Sequence, residues 1–63
     1  MAALTLTPNL ERTDDFYAAL LKAHDGLSED ETHAFNARLI LVLANHIGKQ
    51  DILTDALAAA AKR

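Results

Sequence analysis

Three segments of the chain have apolar residues at the three- and four-residue spacing that predicts amphipathic helices. They cover residues 13–25, residues 28–47, and residues from about 51 to the C-terminus. Gly26 and Gly48 follow the first two segments. Glycine is common just after a helix because it adopts the left-handed conformation that ends many helices. The pattern therefore predicts three helices joined by short turns.

Polar residues at the starts of the first two segments predict helix caps. Thr13 precedes Asp14 and Asp15, whose carboxylates suit the positive end of a helix dipole, so Thr13 is the predicted cap of the first helix. Ser28 and Glu31 have the spacing of a capping box, in which each side chain bonds the other residue's backbone amide. The second helix should therefore begin at Ser28.

The central segment is apolar around roughly three quarters of a helical wheel, far more than an ordinary surface helix. Only Glu31, Arg38 and Asn45 form a clearly polar stripe. Because the two flanking helices are short, we expect a second, identical subunit to cover the rest. A monomer with some exposed leucines and alanines is the open alternative. The apolar arc contains Phe35, Ala37, Leu39, Ile40, Leu41, Val42, Leu43, Ala44, His46 and Ile47.

The N-terminal residues differ from the rest of the chain. Leu4 and Leu6 alternate with threonines, and Pro8 restricts the residue before it to extended conformations. We therefore predict an extended N-terminal arm over residues 1–12 and a three-helix domain over residues 13–63. The predicted fold class is all-α, with a short helix, a long apolar central helix and a short helix, assembled as a dimeric helical bundle.

Composition narrows the possible functions. The chain has 63 residues, a formal charge of −3 and no cysteine, so it has room for one small domain and no disulfide or thiolate metal site. A net acidic chain with dispersed basic residues is a poor nucleic-acid binder. The longest apolar run, residues 39–44, is too short to span a membrane, and the N-terminus lacks signal-peptide features. We expect a cytoplasmic protein.

Histidine is the side chain best suited to proton transfer near neutral pH, so any such site should involve His24, His33 or His46. A structural role for each is the favoured interpretation, and no catalytic residue or cofactor is predicted. Glu29 and His33 are spaced to share a metal ion, but two ligands do not make a site, so no metal is predicted. The alternative is a small-ligand or metal site near the dimer interface that uses His24, His46 and Tyr17.

The polar stripe suggests a surface for a protein partner. Arg38 and Asn45 interrupt an otherwise apolar helix, and Leu41 lies beside them on the helical wheel. Arginine is enriched at binding hot spots, which favours a partner contact. A carboxylate of the same protein, such as Asp14, Asp15 or Glu31, is the open alternative partner of Arg38.

Three segments from Asp14 onward form a recognisable pattern: Asp14 to Leu21, Ala23 to Ser28 and Asn36 to Gly48. In these segments the chain resembles the domain of unknown function 2783 family of small bacterial proteins. The resemblance implies a bacterial cytoplasmic protein that accompanies flavin-dependent oxidoreductases or catabolic enzymes, and it brings no assigned activity. We therefore expect a homodimeric accessory or regulatory subunit rather than an enzyme. The resemblance also marks Asn36, Arg38, Asn45 and His46 for mutation.

Overall fold

A computed structural model describes residues 3–62, and within that range the chain is all-α. Helix α1 covers Thr13–Ala23, α2 covers Glu29–Ile47 and α3 covers Gln50–Ala61. No strand occurs among the described residues, and residues 3–10 ahead of α1 have no regular secondary structure. The three predicted helices are confirmed.

The start of α2 is held by the predicted capping box. The Ser28 backbone amide donates to Glu31 Oε1 at 2.9 Å, and the Glu31 amide donates to Ser28 Oγ at 3.2 Å. These bonds satisfy two amides that the helix itself leaves without acceptors. The pKa of the Glu31 carboxyl is lowered, first by the hydrogen bond from the Ser28 backbone amide and then by the Ser28 side chain.

Replacing Ser28 with alanine should destabilise the fold by about 1 kcal/mol, because the Glu31 amide loses its acceptor. Urea denaturation followed by circular dichroism measures the change. Thr13→Ala is the control, since Thr13 makes no capping bond, and its midpoint should stay near that of the wild type. Equal midpoints for Ser28→Ala and wild type would show that the capping box contributes nothing.

The predicted cap of α1 is wrong. Thr13 is the first helical residue, and Arg12 occupies the cap position without any side-chain capping bond. Arg12 Nε instead lies 3.8 Å from Asp15 Oδ2 in an exposed ion pair. The helix also ends at Ala23, two residues earlier than predicted, because the backbone then forms tighter three-residue turns up to Gly26.

Two left-handed glycines set the directions of the helices. Gly26 has φ of +77° and Gly48 has φ of +72°. The Gly48 amide donates to the Ala44 carbonyl at 2.9 Å, which closes α2. Only Gly48 and Lys49 separate α2 from α3, so these two helices form a hairpin.

Helices α2 and α3 are neighbours across their short turn and approach each other over a small part of their length. Within residues 3–62, α2 and α3 are the only helices whose Cα atoms approach within 8 Å of each other. The N-terminal arm reaches α3, where Leu4 is half-buried near Ala59. Helix α1 is connected to α2 through the turn residue His24.

A single chain has almost no core. No side chain among the described residues is fully buried. The accessible surface is 5843 Å², whereas a compact 6.8 kDa protein should expose about 3,950 Å². The radius of gyration is 13.5 Å, against about 11 Å for a compact domain of this length. The chain is folded locally but remains open.

The central helix does not match the predicted picture of a buried, almost entirely apolar element. It begins with Glu29, Asp30 and Glu31, and no helix in the described part of the chain is long and apolar enough to cross a membrane. Phe35, Leu39 and Ala44 are half-buried, whereas five other large side chains of the arc are exposed: Ile40, Leu41, Val42, Leu43 and Ile47. The hairpin covers only part of the apolar arc, because α3 has a single narrow face to offer.

Candidate functional site

An open apolar groove runs between α2 and α3. Its volume is about 500 Å³, and its lining is almost entirely apolar. Gln50 is its one polar lining residue, and no charged residue lines it. We call this surface the α2–α3 groove. It is lined by Ile40, Leu43, Ala44, Ile47, Gln50, Leu53, Ala56, Leu57 and Ala60.

The two walls of the groove have the same residue spacing. Both the α2 wall and the α3 wall place apolar residues at positions i, i+3, i+4 and i+7, which form one stripe of a helix. Ile40 is 63% exposed and Leu57 is 72% exposed, although both belong to these stripes. Large side chains that point into an open groove leave much apolar surface in contact with water.

The opposite side of α2 carries the predicted partner-binding residues. At 100° per residue, Arg38, Leu41 and Asn45 share one face of the helix, turned away from Ile40 and the groove. All three are exposed, Leu41 by 69%. We call this surface the back face of α2. The helix places the three residues on one surface, and their role in binding stays a prediction.

Arg38 has no acidic partner within the described part of a single chain. Of the three carboxylates considered as its partners, Asp15 lies against Arg12, Glu31 accepts from the Ser28 amide, and Asp14 forms no ion pair within the described residues. Its guanidinium is therefore open to a carboxylate or carbonyl group of another molecule.

His24 lies at the junction of α1 and α2 and bonds both sides of it. Nδ1 lies 2.7 Å from the Leu20 carbonyl oxygen, and Nε2 lies 2.9 Å from Asn36 Oδ1. The ring is edge-on to Phe35, with centroids 4.9 Å apart. The half-buried imidazole therefore fastens the end of α1 to the middle of α2.

The surroundings of His24 favour its protonated form. The hydrogen bond to the Leu20 carbonyl and then that to the Asn36 side chain raise the pKa of His24. A neutral imidazole has one N–H and can donate to only one of these oxygens, whereas the imidazolium donates to both. The neutral ring keeps both contacts only if the Asn36 amide turns its NH₂ group toward Nε2.

The residues of the predicted ligand site are not joined in the structure. His24 uses both ring nitrogens within the fold, and no hydrogen bond between residues 3 and 62 connects it to His46 or Tyr17. His33 Nε2 lies 3.9 Å from Glu29 Oε1, and both side chains are exposed. No group of three or more His, Asp or Glu side chains in the described range could hold a metal ion. The ligand-binding alternative stays a prediction.

Reasoning from the sequence missed the pairing of His24 with Asn36. The structural role expected for His24 accounts for the bond to the Leu20 carbonyl at the end of α1, but it leaves the second ring nitrogen without a partner. The available signal was Asn36, a polar residue on the same side of α2 as Phe35 and Leu39. An amide next to an aromatic residue on the apolar side of a helix indicates a specific hydrogen bond.

A family model described as "Protein of unknown function (DUF2783)" matches residues 4–62, nearly the whole chain. No curated protein and no solved structure matches the chain.

Proposed function

The chain belongs to the DUF2783 family, whose description assigns no activity, and we propose that it acts as a homodimeric helical interaction module. The observation that supports this most is the absence of a buried side chain in residues 3–62. Domains of this size need an additional source of stability, and a chain without cysteine lacks disulfides. A second subunit supplies the missing burial.

The amount of excess surface fits a stable dimer. One chain exposes about 1,900 Å² more than a compact protein of its mass. Permanent homodimers bury about 1,000–2,500 Å² on each subunit. If dimerisation buried this excess, each subunit would expose about as much surface as an ordinary globular protein of the same mass.

We assign the module an accessory or regulatory role in a bacterial enzyme system of the cytoplasm. The back face of α2 supports this assignment, because Arg38, Leu41 and Asn45 combine a free guanidinium, an exposed leucine and an amide on one surface. Arginine with neighbouring apolar contacts is typical of binding hot spots. The resemblance noted above adds oxidoreductases and catabolic enzymes as the expected partners.

Arg38→Ala tests both parts of the proposal. Light scattering should give twice the 6.8 kDa chain mass for the untagged wild type and for the variant, with equal melting temperatures. An enzyme subunit that co-purifies in fixed ratio with wild type from the native host should be lost from the variant. The variant Arg38→Lys keeps the positive charge but lacks the planar guanidinium, so it should retain only part of the binding.

Two results would contradict the proposal. A wild-type mass of 6.8 kDa at high micromolar concentration would show a monomer and contradict the proposed homodimer. An Arg38→Ala variant that unfolds or dissociates, with no enzyme held by wild type, would make Arg38 a structural residue and remove the accessory role.

A further inference from the structure

The α2–α3 groove has the features of one half of a four-helix bundle. We propose that its occupant is the α2–α3 hairpin of a second copy of this chain, packed face to face. This inference rests on the homodimer proposed above and specifies the surface that forms it. The contact between the two copies then centres on Ile40, which lies about 100° around the same helix from Leu41 of the back face.

The spacing of the groove supports a second helical hairpin as the occupant. Both walls present stripes at i, i+3, i+4 and i+7, the spacing used where helices pack at shallow angles in bundles. Each wall also mixes large and small side chains, such as Ile40 beside Ala44 and Leu57 beside Ala56. A large side chain of one copy can then insert over a small one of the other.

The charge distribution supports an identical partner. Each chain carries a formal charge of −3, so two copies repel unless their contact avoids the acidic residues. The groove contains no charged side chain, and the acidic first turn of α2, Glu29, Asp30 and Glu31, lies at the opposite end of that helix. An isologous contact at the groove therefore brings no like charges together within the interface.

The area also distinguishes the groove from the back face. The groove holds four large apolar side chains that are each 43–72% exposed: Ile40, Leu43, Ile47 and Leu57. The other side of α2 presents two, Leu41 and Val42, which flank the stripe of Arg38 and Asn45. Because apolar burial drives association, the groove is the surface that a dimer gains most by covering.

A matched pair of variants tests the assignment. Ile40→Glu and Leu41→Glu make the same kind of change at adjacent residues of similar exposure, 63% and 69%, on different faces of α2. Ile40→Glu should weaken dimerisation by about 100-fold or more, since it buries an unpaired carboxylate. Leu41→Glu should leave the dimer intact. Sedimentation velocity over a concentration series measures both.

Cysteine crosslinking decides the question even if Ile40→Glu fails to fold. The chain has no cysteine of its own, so Ala56→Cys labels the groove and Asn45→Cys labels the back face. A bis-maleimide with a spacer of about 10 Å, one interhelical distance, should join two copies through position 56 and not through position 45.

The outcomes separate this inference from the function on which it rests. If Leu41→Glu dissociates the dimer while Ile40→Glu does not, or if crosslinks form only through position 45, the homodimer stands and the groove assignment is wrong. A wild-type chain that is monomeric throughout overturns both. Loss of the dimer in Ile40→Glu alone, with crosslinking through position 56, supports the groove.

Discussion

Replacing Gly48 with valine is expected to destabilise the protein by about 2 kcal/mol, one of the largest effects of any exposed substitution in this chain. Gly48 has φ of +72°, where an L-residue brings its Cβ too close to the backbone, and a β-branched side chain suffers most. Thermal unfolding at fixed protein concentration measures the change. The cost comes from the dihedral angle, because an added Cβ would lie 3.7 Å from the Asn45 carbonyl oxygen, an ordinary contact distance.

D-alanine at the same position is the matched control. It prefers positive φ, so it should keep the turn and stabilise the chain by about 0.4–1 kcal/mol by restricting the unfolded state. A chain of 63 residues is accessible to chemical synthesis. If D-alanine destabilises as much as valine, the loss comes from crowding at the turn and the conformational explanation fails.

Stability is expected to fall as the pH rises from 6 to 8, with His24 as the cause. Its folded-state pKa lies above the ordinary value of about 6.5, owing to the Leu20 carbonyl and then the Asn36 oxygen. Because the pKa is raised, protonated His24 contributes to the free energy of unfolding. This contribution is fully present below about pH 6.5 and is lost as the pH rises through the folded-state pKa. Urea denaturation midpoints at fixed protein concentration should therefore be higher at pH 6 than at pH 8.

Variants at two positions assign the pH effect to this contact. His24→Gln should remove the difference between the two pH values that belongs to His24, whatever the other histidines contribute. Asn36→Leu should reduce it, and Asn36→Asp should enlarge it, because a carboxylate only accepts hydrogen bonds and adds negative charge. A wild-type pH dependence that survives unchanged in His24→Gln would assign the effect to other groups.

In acidic solution the capping box should make stability fall as the pH falls. Glu31 has a lowered pKa in the folded chain, so its contribution is present above its ordinary pKa and is lost as the pH falls through the folded-state value. Together with His24, this places the greatest stability in mildly acidic solution, above the ordinary pKa of glutamate and below that of histidine.

Local features of the fold could be predicted well because their physics is local. The capping box at Ser28 and Glu31 and the left-handed turns at Gly26 and Gly48 each depend on residues within four positions of one another. The prediction that Thr13 caps α1 was wrong, and its cause is also local. A threonine followed by two aspartates is equally suited to the first turn of a helix, and the chain places it there, one residue beyond the cap.

The site was less predictable because it depends on how helices face one another. The wheel of α2 identified an apolar arc, but periodicity cannot tell which part of that arc faces α3 and which part stays open. The bond between His24 and Asn36 joins residues twelve positions apart, and it exists only at the angle set by the turn at Gly26. Ile40 and Leu41 illustrate this limit of periodicity. They are adjacent in sequence, yet Ile40 lines the groove and Leu41 lies on the back face.

The two-residue link between α2 and α3 has a consequence for folding kinetics. Helices and short hairpins form within microseconds, because closing such a small loop takes little time. Proteins meet and dock much more slowly, at about 10⁵–10⁷ M⁻¹ s⁻¹, so at micromolar concentration encounters occur on a scale of about 0.1–10 s. For a chain that completes its core by pairing, the refolding rate is then second-order and rises in proportion to protein concentration, which stopped-flow refolding at several concentrations would show directly.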